Sequence, residues 1–202
     1  TSSSVMTPTF ADIDNDGDLD FFTGNMVGTL THYENTGLAG GIPQFDFITN
    51  SWQDIYIVGG TRTDDRHGAS AITFIDLDGD GDLDLSWGDY FQQSLYIIWN
   101  SGSAENPNMN EVTTQYPPSD PILSAGQNMP TFADLDGDGD EDLYVTVLSG
   151  AYGSQLVNNF YYYKNEGSNS IPEYVYQTNN YFSTLDIFSN SSPELVDIDS
   201  DG

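Results

Sequence analysis

Aspartate stands at every second position of the segment 76–84, and a glycine follows the third of these aspartates. Five carboxylates within nine residues repel one another at neutral pH, so this crowding favours a bound cation. Oxygen ligands without histidine or cysteine indicate Ca²⁺ rather than zinc or copper. The segment therefore predicts a calcium loop.

The pattern occurs in full at 12–20 and 134–142, and it begins a fourth time at 197–202. Positions one, three and five are predicted to supply side-chain oxygens, position seven a backbone carbonyl, and position nine the closing carboxylate. The glycine at position six permits the sharp turn around the ion. The predicted ligands are Asp12, Asp14, Asp16, Asp18, Asp20, Asp76, Asp78, Asp80, Asp82, Asp84, Asp134, Asp136, Asp138, Asp140, Asp142, Asp197, Asp199 and Asp201.

An EF-hand begins in the same way, but it needs an acidic residue at position twelve and a helix on each side. Position twelve here is Thr23, Trp87 or Val145, which excludes an EF-hand. One acidic turn without a metal could be accidental, whereas three in phase are not. We therefore expect about one structural Ca²⁺ per complete repeat.

The loops recur at a regular interval, since their first aspartates are 64, 58 and 63 residues apart. A second landmark, Asn-x-Gly, begins at Asn35, Asn100 and Asn165, at intervals of 65 and 65 residues. Two markers with one period indicate an internal repeat. We predict one β-propeller segment over 1–202, with repeats at approximately 6–67, 68–127 and 128–190 and a truncated fourth at 191–202.

Each repeat is predicted to hold four short strands. A short apolar strand precedes each loop, and Pro8, Pro130 and Pro193 stand at the strand entries. The second strands are predicted at 19–23, 83–87 and 143–147, the third at 29–33, 95–99 and 160–163, and weaker fourth strands at 45–48, 112–116 and 174–177. Asn-x-Gly is predicted to be the turn before the fourth strand, and Leu19 and Leu83 are predicted to face inward.

Short antiparallel strands in groups of four predict an all-β fold made of propeller blades. About three blades and the start of a fourth are too few to close a ring of about 4–8 blades. We therefore expect the segment to be part of a larger propeller. An open β array with other chains as neighbours is the alternative.

The chain has 32 acidic and three basic residues, for a net charge of −29. This balance excludes binding to nucleic-acid phosphates, and no apolar run is long enough to insert into a membrane. The 37% hydrophobic and 13% aromatic content indicates a packed core rather than disorder. Weak calcium loops suit extracellular fluid, so we expect a secreted or cell-surface location. The incomplete set of blades leads us to expect a longer parent chain.

Two further groups could bind a ligand. Arg62, Arg66 and His67 lie within six positions and could grip a carboxylate or an acidic sugar, although local ion pairs are the favoured interpretation. The tyrosines at 161–163, 174, 176 and 181, together with Phe182, could stack on sugars, but packing between blades is favoured. His32 is predicted to be a surface residue. No Gly-x-Ser-x-Gly motif and no partnered acid–base pair is present, so we expect no enzyme activity.

The segment Thr9 to Asp20, followed by Gly28 to Gly37, resembles the FG-GAP/VCBS repeat. The resemblance covers essentially the whole chain. It implies a calcium-binding β-propeller, usually of seven blades, with the ion between the first and second strands of a blade. Members of this family act in adhesion, in sugar binding or as accessory domains beside an enzyme, so the resemblance leaves the function open.

These observations favour a calcium-stabilised extracellular scaffold that mediates adhesion or protein interaction, without catalysis. The expected partner is a protein or glycan on a cell surface or in the extracellular matrix. A lectin-like glycan-binding propeller and an accessory domain of a polysaccharide-active enzyme are the alternatives.

Overall fold

The computed structural model describes residues 7–25, 27–57, 71–147 and 158–182. Twelve strands lie in these ranges and form three four-stranded sheets. The first sheet contains β1 (Pro8–Ala11), β2 (Asp20–Gly24), β3 (Leu30–Ala39) and β4 (Ile42–Thr49). The second contains β5 (Ala71–Ile75), β6 (Asp84–Gly88), β7 (Leu95–Asn100) and β8 (Met109–Thr113). The third contains β9 (Asn128–Ala133), β10 (Asp142–Val147), β11 (Phe160–Asn165) and β12 (Tyr174–Thr178).

Each sheet is an antiparallel meander in which strands adjacent in the chain pair with each other. Among the described residues the helical structure is limited to one 3-10 turn at Trp52–Asp54. This confirms the prediction of an all-β fold with blade-like sheets. The three sheets do not close into a ring. The part of the chain that the structure describes has no helix with the length and apolar character needed to cross a bilayer.

The first strands of the three sheets lie next to one another, with β5 beside both β1 and β9. The Thr73 hydroxyl on β5 donates a hydrogen bond to the Pro130 carbonyl on β9 at 3.0 Å. Pro130 is tolerated because β9 is an edge strand, where a missing N–H breaks no ladder. This arrangement places the three loops that follow β1, β5 and β9 at corresponding positions.

The core lies between the sheets. One apolar cluster fills the space between the first and second sheets and includes Phe22, Leu85 and Trp87. Another fills the space between the second and third sheets and includes Ile97, Leu143 and Tyr163. Strand residues alternate between the two faces of a sheet, so the second sheet contributes opposite faces to the two clusters. Tyr163 and Tyr174 are buried in such packing, as the favoured interpretation of these tyrosines predicts. Tyr162 is buried instead against Tyr144 and Phe160 of its own sheet.

The prediction for Leu19 is wrong, because its side chain is 54% exposed. Leu83, at the equivalent position, packs against the cluster between the first and second sheets, as predicted. The two leucines differ because no described residue forms a sheet over the outer face of the first sheet. The position in the repeat is therefore apolar in both blades but is buried only where a neighbouring sheet covers it.

The prediction for the turn in the first repeat is also wrong. Strand β3 continues through Asn35 to Ala39, with an irregular register between Asn35 and Leu38. The hairpin turns instead at Gly40 and Gly41, where φ is 62° and 82°. Two glycines with positive φ form the tight turn that matches the twist of a hairpin. In the other two sheets the third strand ends at Asn100 and Asn165, so the turn follows at Asn-x-Gly, as predicted.

Candidate metal centres

The three complete loops share one backbone conformation. Position six has a φ between 92° and 94° in every loop, at Gly17, Gly81 and Gly139. Position four also has positive φ, at Asn15, Gly79 and Gly137. Asn and Gly tolerate this left-handed region best. The residue type at position four was therefore a further sequence signal for the loop, besides the spacing of the aspartates. The loop is thus shaped by two such residues rather than one.

The aspartate at position one organises the loop backbone. In the second loop, Asp76 accepts hydrogen bonds from the Gly79 amide at 2.7 Å and from the Gly81 amide at 3.1 Å. Asp134 accepts the equivalent bonds from the Gly137 and Gly139 amides, whereas Asp12 accepts from the Asp16 and Gly17 amides. The carboxylate at position five caps the position-seven amide in all three loops. These bonds hold each loop closed around its carboxylates.

The aspartate at position nine is buried and begins the second strand of its sheet. Asp20, Asp84 and Asp142 each accept a 2.8 Å hydrogen bond from the backbone amide of Asn35, Asn100 and Asn165, respectively. The two landmarks of the repeat are therefore in direct contact. Their common period follows from this bond, which ties each loop to the third strand of its own sheet.

The carboxylates that come together are not the same in each loop. In every group the ligand atoms lie within 4.8 Å of one another. Positions one, three and five form the group in the first and third loops, whereas positions one, three and nine form it in the second. The aspartates at position seven, predicted to bind through the backbone carbonyl, lie outside these groups. The groups are Asp12, Asp14 and Asp16; Asp76, Asp78 and Asp84; and Asp134, Asp136 and Asp138.

These residues fit a hard cation. The Oδ1 atom of Asp14 is buried and has no hydrogen-bond partner, which is costly for a carboxylate unless a cation neutralises it. Burial, followed by the charge of Asp16, raises the pKa of Asp14. Burial also raises the pKa of Asp82 to about 6 and that of Asp84 to about 7. A bound Ca²⁺ would supply the missing positive charge, held by the carboxylates of each group.

The third strands of the first and third sheets add residues that contact the loop aspartates. His32 is buried, and its Nε2 lies 2.8 Å from Asp20 Oδ2, so the prediction of a surface histidine is wrong. Its ring stacks on Phe22 at a centroid distance of 4.5 Å, because this position of β3 faces the second sheet. Glu34 forms a further group with Asp20 and His32, whose ligand atoms lie within 4.8 Å of one another. In the third sheet, Lys164 pairs with Asp136 and Asp138.

Sequence reasoning did not find His32, Glu34 or Lys164 as loop neighbours. The available signal was their position, one or three residues before the Asn of the second landmark. The predicted ligands Asp197, Asp199 and Asp201 lie outside the described residues. Arg62, Arg66 and His67 lie outside them as well.

The family model for the FG-GAP-like repeat matches residues 12–87 and 76–145. These matches span all three complete loops, strands β2 to β9 and the first part of β10. No match to a curated protein or to a solved structure was found. The matched region covers more than half of the chain, and it contains the three loops described above. The chain therefore belongs to the FG-GAP-like repeat family.

Proposed function

We propose that the chain is a calcium-stabilised, extracellular, non-catalytic interaction module. One observation carries the proposal: three preshaped loops at equivalent places in three sheets each bring carboxylate oxygens within 4.8 Å of one another. The loop carboxylates also accept hydrogen bonds from their own backbone. That arrangement suits a structural ligand set rather than reacting groups.

The expected energy supports a structural role for calcium. A site at about 100 times its dissociation constant stabilises a fold by ~2.7 kcal/mol. Three such sites would contribute about 8 kcal/mol, which is comparable to the whole ~5–15 kcal/mol stability of a domain. Loops with affinities near millimolar calcium suit the extracellular fluid, which supports a secreted or cell-surface location.

Calcium removal tests this proposal. We expect EDTA to lower the melting temperature of the 202-residue chain by well over ten degrees, because the carboxylates then repel one another without compensation. Differential scanning calorimetry in excess Ca²⁺ and in EDTA measures the shift. Magnesium is the control, since its small octahedral shell suits a carboxylate loop less well. An unchanged melting temperature in EDTA contradicts the calcium proposal.

Further blades are proposed to complete a larger propeller, with seven as the number that the family resemblance suggests. The outer face of the first sheet supports this, because Phe10, Phe21, Tyr33, Phe45 and Phe47 contact one another there. Phe47 is 57% exposed. The equivalent face of the second sheet packs on the first sheet. Electron microscopy of the full-length protein tests this: a closed ring is expected, and an open array contradicts it.

The partner is proposed to be a protein or a glycan on a cell surface or in the extracellular matrix. A strongly anionic surface favours cationic partners, which supports protein interaction over the glycan alternative. The burial of Tyr162, Tyr163 and Tyr174 removes them from any sugar-stacking platform. A glycan array separates the two alternatives, because reproducible glycan binding would favour a lectin.

A further inference from the structure

Lys164 is the only lysine of the chain, and it lies over the third loop. Its ammonium donates hydrogen bonds to Asp136 Oδ2 and, at 3.0 Å, to Asp138 Oδ2. These are two of the three carboxylates that come together in this loop. A positive charge therefore already lies among the predicted calcium ligands of the third loop.

The equivalent residue differs in each of the three sheets. Glu34, Trp99 and Lys164 each directly precede the asparagine whose amide binds the closing aspartate. Glu34 places a carboxylate in the group formed with Asp20 and His32. Trp99 is uncharged, and its indole N–H donates to the Thr113 hydroxyl at 2.9 Å. At this one position the residue is therefore negative in the first sheet, neutral in the second and positive in the third.

A second residue occupies acceptors of the third loop. The Asn169 amide donates to Asp140 Oδ1 at 2.9 Å, and its side-chain Nδ2 donates to the Gly139 carbonyl at 2.9 Å. The Glu141 amide donates to Asn169 Oδ1 at 2.7 Å. The equivalent residues in the other sheets are Ala39 and Ala104, which lack such groups. The third loop is therefore held closed by hydrogen bonds from its own sheet.

We propose that Lys164 acts as an internal counter-cation, so that the three loops form a graded series in calcium affinity. The first loop binds Ca²⁺ most tightly, the second is intermediate, and the third is weakest, because Ca²⁺ must displace the ammonium. This inference rests on the proposed calcium function and specifies how it is distributed. The third loop keeps its closed shape at calcium concentrations that leave it without an ion.

A site-resolved calcium titration tests the series. Gly17, Gly81 and Gly139 occupy position six of the three loops, and each amide donates to its position-one aspartate. Their ¹H–¹⁵N NMR signals therefore report on one loop each. In the native chain we expect the Gly17 signal to shift at the lowest calcium concentration and the Gly139 signal at the highest, with midpoints at least about tenfold apart.

Substitutions of Lys164 and Glu34 test whether these residues cause the difference between the calcium midpoints of the loops. Lys164→Met should lower the Gly139 midpoint about tenfold or more, because it removes a positive charge next to the ion. The Gly17 midpoint should stay the same, which controls for the change in net charge. Lys164→Arg keeps the charge and should leave the Gly139 midpoint high. The reciprocal change Glu34→Lys should raise the Gly17 midpoint about tenfold or more, and it tests the idea in a different loop.

Equal midpoints for the three glycines in the native chain would overturn the graded series. So would a Gly139 midpoint that stays unchanged in Lys164→Met. Both outcomes leave the proposed calcium function intact. Absence of a calcium-dependent shift at all three glycines contradicts the proposed function itself, and with it the series.

Discussion

The first and second sheets have the same strand order and the same loop, yet the same positions have different surroundings. Leu85 is fully buried between two sheets, whereas the equivalent Phe21 lies on the outer face of the first sheet. Leu83 and Leu19 differ in the same way. The comparison shows that a repeat fixes which positions are apolar, while the neighbouring sheet decides how much each contributes to stability.

The largest effect should come from truncating the covered position. Leu85→Ala should destabilise the calcium-loaded chain by about 2–5 kcal/mol, because it leaves a cavity in a core that cannot collapse freely. Phe21→Ala should cost only roughly 1 kcal/mol, since its ring already lies partly in water. Urea unfolding in excess Ca²⁺ measures both, with the native chain as the reference. Equal losses would mean that the outer face is covered as well.

A smaller effect should separate the equivalent asparagines. Asn100 Oδ1 accepts from the Gly102 and Asn108 amides at 3.0 and 2.8 Å, whereas Asn35 Oδ1 accepts from the Gly37 amide at 3.0 Å. Asn100→Ala should therefore lower the free energy of unfolding by about 2 kcal/mol, and Asn35→Ala should lower it by about 1 kcal/mol. The same urea experiment checks this order. A larger loss for Asn35→Ala would show that its side-chain bond to the Leu19 carbonyl matters more.

A third effect concerns pH in the absence of calcium. Burial raises the pKa of Asp84 to about 7 and that of Asp82 to about 6, above the ordinary value of 3.8. Between about pH 4 and 7 the folded chain then binds more protons than the unfolded chain. The free energy of unfolding should therefore increase as the pH falls from about 7 to about 4.

Melting temperatures in EDTA at a series of pH values measure this slope. Asp84→Asn should flatten it, because the largest of the two shifts is then absent. Glu105→Gln is the matched control, since it removes an exposed carboxylate outside the loops and should leave the slope as it is. Excess Ca²⁺ should reverse the slope, because the ion binds only ionised carboxylates. A slope that is unaffected by Asp84→Asn contradicts the assignment to this residue.

Much of the fold could be predicted from the sequence, because each loop marks the boundary between two strands. The predicted second strand 83–87 and the observed Asp84–Gly88 differ by one residue at each end. The turn of the first sheet was predicted at the wrong place. The motif Asn-x-Gly, which begins at Asn35 in this sheet, occurs in all three repeats and predicts a turn in each. The pair Gly40 and Gly41 forms a tighter hairpin turn a few residues later, and it allows β3 to continue.

The sequence by itself determined the repeat, the four-strand units and the carboxylate pattern of the loops. These features depend on spacing along the chain and on the conformational freedom of residues such as Gly81. Only the tertiary structure decided which residues approach each loop from the third strand. The side chains of His32, Glu34 and Lys164 reach loops 12 to 28 residues away because backbone bonds join that strand to the closing aspartate. Such contacts follow from strand register, which the types of these residues did not reveal.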